Sequence, residues 1–142
     1  MTNGSELAGS EVEALHAALD DEYRAWATYE QVIEDFGPVR PFVNIVDAEA
    51  RHIEALSSLF EQYGVPLPEN SWTGKMPRHA SLEEACRAAV AAEMENAELY
   101  ERLFASTDRP QILRVFRNLL DASQQRHLPA FRRCVHRSAE QS

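Results

Sequence analysis

Glu49 and His52 stand three positions apart in the stretch DAEARHIEAL, among alanines, an isoleucine and a leucine. On a helix, positions i and i+3 share a face. A carboxylate and an imidazole so placed can both reach one metal ion, or bridge two. Glu22, Glu93 and His127 have the same character, each a polar group inside an otherwise apolar pattern, and Asn96, Ser123 and Gln124 add neutral polar atoms close to them. An isolated ionised carboxylate in a core is very costly, even after the surroundings relax. Three glutamates and two histidines at one level need a common explanation. A bound cation supplies one: its charge offsets the carboxylates, and neutral imidazole nitrogens complete the shell. The competing explanation is a metal-free core in which these groups satisfy one another and ordered water.

The elements that must position them follow from periodicity. Val12, Leu15, Leu19, Glu22, Trp26, Tyr29, Ile33 and Phe36 alternate steps of three and four, which marks one face of a helix. Ser10 with Glu13 reads as its capping box, and Gly37-Pro38 as its end. A second seam is Phe42, Ile45, Glu49, His52, Leu56, Leu59 and Tyr63, with Pro41 in the first turn and Gly64 closing it. A third opens on a Ser81/Glu84 capping box and runs Leu82, Cys86, Ala89, Glu93, Asn96, Tyr100, Leu103. A fourth opens near Asp108 with Pro110 in its first turn and runs Leu113, Phe116, Leu120, Ser123, His127, Ala130, Cys134. Between the second and third lies VPLPENSWTGKMPRHA, residues 65–80, with three prolines and no helical period. Fully extended, it reaches roughly 50 Å, enough to cross a bundle end to end.

The expected fold is all-α: an antiparallel four-helix bundle over residues 11–138 with a long crossover from helix 2 to helix 3. Residues 1–10 and 139–142 read as tails. Folding each hairpin about its turn places His52 level with Glu22 and Glu49 about one helical turn away. The same operation brings His127 to within about one turn of Glu93. Each hairpin therefore gathers its polar residues near its middle. The direction of helix 2 relative to helix 3 stays open.

Composition narrows the classes of function. The formal net charge of −9 and the lack of basic clusters argue against nucleic acid as a partner. No apolar run is long enough to span a membrane. The start, MTNGSELAGS, has neither a basic region nor an apolar segment and does not read as a signal peptide. Cys86 and Cys134 form no zinc or redox motif. They fall level with each other two turns from the proposed site, but bundle helices usually lie about 8–10 Å apart, too far for easy disulfide geometry. Buried reduced thiols in a cytoplasmic protein are the expectation.

Glu22 on helix 1, EARH (Glu49 to His52) on helix 2, Glu93 on helix 3 and His127 within SQQRHLPAF on helix 4 together resemble the ferritin-like superfamily, in particular its small rubrerythrin-related members. Typical di-iron members use a Glu from each of two helices and a Glu-x-x-His from each of the other two. The resemblance implies that Glu22, Glu49 and Glu93 are terminal or bridging metal ligands and that His52 and His127 are nitrogen ligands. One position departs from the pattern: Gln124, not Glu, stands three residues before His127. Two ferrous ions carry four positive charges, and this site offers only three carboxylates. A bridging hydroxide would restore neutrality. Otherwise the site is weaker, asymmetric or holds one ion. Amide oxygens of Asn96 or Gln124 are secondary candidate ligands that add no charge.

The remaining singular residues have plainer readings. Tyr29 and Tyr100 stand seven residues from Glu22 and Glu93, where a tyrosine can hydrogen-bond a metal ligand or relay electrons, but with Trp26 they read as core; Trp72 reads as a pin holding the crossover to the bundle. Glu30, Glu95 and Glu98 fall off the seams and read as surface, and His16, His79 and His136 have no matched partners. Pro129 removes an amide, so helix 4 should kink beside His127.

Two functions from different classes follow. The first is a di-iron carboxylate protein acting on dioxygen or peroxide, an oxidoreductase of ferroxidase or peroxidase type with no catalytic residues beyond its ligands. Lacking Cys-x-x-Cys pairs, it would need a separate electron donor to turn over. The second is a non-catalytic bundle whose site is degenerate or holds one structural ion, such as zinc; manganese suits the same ligands. An iron-storage subunit and a homodimer are further alternatives.

Overall fold

The computed structural model describes residues 6–140. Its elements are α1 (Gly9–Phe36), α2 (Phe42–Gln62), α3 (Leu82–Leu103), a 3-10 turn (Phe104–Ser106), α4 (Pro110–Ala122), a π turn (Ser123–His127) and α5 (Leu128–Glu140). The last three are continuous and form the fourth rod of an all-helical four-helix bundle. Of the expected tails, residues 1–5 and 141–142 lie outside the described residues.

α1 starts earlier than the sequence suggests. Its N-cap is Ala8, not Ser10, and the reciprocal carboxylate is Glu11, whose Oε1 accepts from the Ala8 amide at 2.9 Å. Glu11 prevails because its second oxygen also takes the Thr107 hydroxyl and Arg109 Nε, tying the helix start to the turn before α4. The expected end holds: Gly37 adopts φ 88°, where L side chains are disfavoured, and its amide closes on the Ile33 carbonyl at 2.7 Å. The capping box of α3 forms as read, with the Glu84 amide donating to Ser81 Oγ and Glu84 Oε2 accepting from the Ala80 amide.

The crossover runs along α1. Tyr23 donates to the Pro68 carbonyl at 2.7 Å, Trp72 Nε1 donates to Asp20 at 2.9 Å, and Arg78 pairs with Asp35 at 2.7 Å. Trp72 is the pin expected of it, with the Arg24 guanidinium over its ring at 5.9 Å. Because the crossover returns the chain to the far end, α3 runs antiparallel to α1.

The core divides in two. One apolar cluster holds Leu15, Leu19, Leu56, Phe60, Tyr100, Phe116 and Leu119. The other holds Tyr29, Phe42, Ile45, Cys86, Phe131 and Cys134, with the rings of Phe42 and Phe131 5.0 Å apart. Between them lies a layer of buried polar side chains: Glu22, Glu49, Glu93, Asn96, Ser123 and His127.

The fourth rod differs from a plain kinked helix. Residues 123–127 form a π turn in which the Leu128 amide reaches back to the Ser123 carbonyl. The widened turn is a physical answer to Pro129, whose ring would crowd the carbonyl four residues back in a regular helix. It also shifts the buried face, so that Phe131 joins Cys134 inside while Ala130, assigned to the seam, is only half-buried.

Candidate metal centre

Glu49 stands at the middle of the polar layer, 2 % exposed. It is on the inner face of α2 because Ile45, Val46, Leu56 and Leu59 hold that face against the core. Its two oxygens face two different imidazoles. Oε2 lies 3.4 Å from Nδ1 of His52, and Oε1 lies 3.3 Å from Nδ1 of His127. Glu22 Oε2 approaches His52 Nδ1 at 3.6 Å, and Glu93 Oε1 approaches His127 Nδ1 at 3.4 Å. The imidazole rings stack at 5.4 Å between centroids and 19° between planes. The layer is thus two three-residue groups, Glu22–Glu49–His52 and Glu49–Glu93–His127, that share Glu49.

The far side of each outer carboxylate is held by a tyrosine from the opposite helix. Tyr29 on α1 donates to Glu93 Oε2 at 2.5 Å, and Tyr100 on α3 donates to Glu22 Oε1 at 2.7 Å. Ser123, placed by the π turn, donates to Glu93 Oε1 at 2.8 Å. These contacts correct the reading of Tyr29 and Tyr100 as plain core. A sequence signal existed: each tyrosine lies two turns beyond a seam glutamate on its own helix, and the antiparallel pairing of α1 with α3 crosses the two over.

Every sequence-derived primary candidate, Glu22, Glu49, His52, Glu93 and His127, is in this layer. The two secondary candidates are not in either group. Asn96 turns its amide nitrogen, not its oxygen, to the layer, 2.5 Å from Asp21 and 3.4 Å from Glu22. Gln124 is half-buried and takes no part in the cluster. Asp21, which the periodicity did not single out, joins through Asn96 and is itself paired with Arg24 at 2.9 Å.

The electrostatics are those of crowded, desolvated charge. Burial pushes Glu22 up to about 7, and the charge of Glu49 adds to the effect. Burial opposes a charge on His52, but the Glu22 and Glu49 carboxylates outweigh it and hold the imidazole at about 10. Glu49 and Glu93 likewise overcome burial at His127 and hold it at about 9. Glu49 sits below the ordinary carboxylate value, since Glu22 and the two imidazoles outweigh its burial. Burial, then the nearby carboxylate charges, push both tyrosine hydroxyls well above the usual value, so they remain donors.

Charge proximity does not complete the hydrogen bonding. Glu49 Oε2, His52 Nδ1 and His127 Nδ1 are buried polar atoms with no hydrogen-bond partner. Native interiors rarely leave such atoms unsatisfied. All three converge on the layer, and a carboxylate oxygen with imidazole nitrogens is a donor set suited to a divalent transition metal. The residues present therefore fit a metal, with Glu49 able to serve two ions.

A small cavity of about 20 Å³ between α1 and α3 is lined by Asp21, Arg24, Thr28, Glu93 and Asn96. A space of about 10–15 Å³ is the least that holds a water. The cavity beside Glu93 is therefore about the size of one water molecule.

Fold and site together define an all-helical bundle with a buried carboxylate–imidazole layer. The chain belongs to a family described as an uncharacterized protein domain, DUF2202, whose model matches residues 11–141. No curated protein matches it. Among solved structures it is similar to the hypothetical protein MJ0754 from Methanococcus jannaschii, with a TM-score of 0.85 at 21% identity over 98% of this chain and 87% of that one. At that identity the likeness shows a shared fold alone.

Two expectations about context change. Cys86 and Cys134 form a disulfide, Cα to Cα 5.9 Å, rather than a pair of reduced thiols. α3 and α5 approach this closely because Ala85 and Ala89 bring little bulk to their contact. The disulfide removes the reduced thiols on which the expectation of a cytoplasmic protein rested. Among the described residues, no helix is long and apolar enough to cross a membrane.

Proposed function

We propose that this chain is a ferritin-like metalloprotein whose bundle, residues 11–138, holds two divalent transition-metal ions, iron foremost. Glu22, Glu49 and His52 would hold one ion, and Glu49, Glu93 and His127 the other. The observation that carries this reading is the sharing of Glu49 between two imidazoles whose buried Nδ1 atoms have no hydrogen-bond partner. A ferrous pair held there would supply two electrons to a dioxygen or peroxide molecule.

The chain's own part is to place and protect. Tyr29 and Tyr100 fix the outer carboxylates from behind, leaving the opposite oxygens turned to the imidazoles. The apolar clusters on either side exclude bulk water. The small cavity beside Glu93 supports a small oxidant over an organic substrate. Without a Cys-x-x-Cys module, turnover would draw on a separate electron donor. Metal content after purification without chelator tests the reading. Close to two irons per chain that react with peroxide supports it. A chain that takes up no metal contradicts it.

The alternative, a non-catalytic bundle with one structural ion such as zinc, is favoured by Gln124, which leaves the layer with three carboxylates. One tightly held zinc, inert to peroxide, would select it.

A further inference from the structure

The Cys86–Cys134 disulfide lies outside the polar layer, yet it joins the two helices that carry one of its halves. Cys86 stands two turns before Glu93 on α3, and Cys134 two turns after His127 on the fourth rod. Between His127 and α4 the rod is a π turn, the point where its hydrogen-bond ladder is least regular. The disulfide is therefore the covalent tie that keeps α5 on α3 downstream of that turn.

An open cavity of about 510 Å³ lies over this tie, lined by Val39, Arg40, Leu82, Cys134, Arg137 and Ser138. Arg40 enters from the α1–α2 turn and Arg137 from the last turns of α5. In a chain of net charge −9, neither guanidinium has a carboxylate partner among the described residues. Two unpaired cations over a wall that includes Val39, Leu82 and the half-cystine Cys134 fit a small anion that also brings a sulfur atom.

We propose that this cavity is a docking site for a small anionic thiol, which exchanges with the disulfide and releases the α3–α5 tie. The seated thiol loses its proton and attacks Cys134 Sγ. A bond forms between the two sulfurs, the Cys134–Cys86 bond breaks, and Cys86 leaves as a thiolate that takes up a proton. A second molecule of the thiol attacks the sulfur of the first, freeing Cys134 as a thiol. In total, two thiols are oxidised to one small disulfide and the protein disulfide is reduced by two electrons. Cys134 is almost fully buried, so a thiol held in the cavity has an advantage that one meeting the surface at random lacks. The effect of release on the polar layer rests on the metal reading above; docking and exchange do not.

Stopped exchange followed by mass spectrometry tests the site. The oxidised protein is treated with glutathione, which is anionic, and with 2-mercaptoethanol, which is neutral. Glutathione is expected to be favoured after correction for thiolate content. Arg40→Gln with Arg137→Gln should cut that preference roughly three- to tenfold, as removing two charge contacts does. Raised salt should cut it as well. Equal preference in the double variant and the parent overturns the docking site, as does a protein that shows two free thiols after air oxidation. Cobalt(II) titration of oxidised and reduced parent, with helical content followed by circular dichroism, tests the consequence. Release of the tie is expected to weaken cobalt binding at least about tenfold at constant helicity. Equal affinity in the two forms overturns the link to the layer. Failure of both forms to bind any metal instead overturns the metal reading and leaves the exchange result to stand by itself.

Discussion

Tyr29 on α1 donates its hydroxyl to Glu93 on α3 across 2.5 Å, at the centre of the bundle and shielded from solvent. Tyr100 on α3 returns the same contact to Glu22 on α1 at 2.7 Å. The pair locks the two helices in register and aims both outer carboxylates inward. Replacing either tyrosine by phenylalanine keeps the ring and leaves a buried carboxylate oxygen short of a donor. Tyr29→Phe and Tyr100→Phe are each expected to destabilise the metal-free protein by about 1–3 kcal/mol in urea unfolding. An unchanged midpoint would show that the hydroxyls do not hold the carboxylates.

Glu49 and the histidines should separate in their effects on stoichiometry. His52 belongs to one group and His127 to the other, while Glu49 belongs to both. His52→Ala and His127→Ala are each expected to weaken one ion and spare the other. Equilibrium dialysis with cobalt(II) reads this as a step from two sites to one. Loss of both ions in either histidine variant would mean that the groups do not act as separate sites.

Glu11 gives the fold a pH dependence independent of the polar layer. Burial opposes its charge, but the Thr107 hydroxyl, the Ala8 amide and Arg109 outweigh burial and hold the carboxyl below its ordinary value. A folded value below the unfolded one means stability that is fully present above the unfolded value, about 4.3, and lost as pH falls through the folded value. Glu11→Gln should therefore be less stable than the parent at neutral pH, with the gap closing in acid. Urea midpoints at about pH 7 and about pH 3 measure it; a gap that stays constant would contradict the assignment.

Pro129 follows the π turn that sets Ser123 and His127 into the layer. Pro129→Ala restores an amide and lets residues 123–127 close toward regular helix. Helical content should hold, while cobalt binding weakens through the His127 side. Unaltered binding would show that the turn is held by packing and not by the proline.

The helices, the crossover and the inward placement of Glu22, Glu49, His52, Glu93 and His127 were legible in the sequence because each depends on short-range periodicity. Glu22, Glu49, His52, Glu93 and His127 each break an apolar stripe, and a stripe fixes which way a side chain faces. What depends on how two stripes meet was not legible. Tyr29 and Tyr100 look like core until α1 and α3 are set antiparallel. Asn96 looks like a ligand until its amide is seen directed at Asp21. Cys86 and Cys134 look too far apart until the alanines of α3 let α5 approach. Ser10 fits a capping box, but the long-range contacts of Glu11 with Thr107 and Arg109 select a different helix start.

The proposed sharing of Glu49 between two ions is tested most directly by counting tightly bound ferrous or cobalt ions per chain in the parent and in Glu49→Ala, under anaerobic dialysis. Two ions in the parent and less than one in the variant is the expected result, with metal raising the melting temperature of the parent only. A parent that binds none, or a variant that keeps the full complement, would contradict the account.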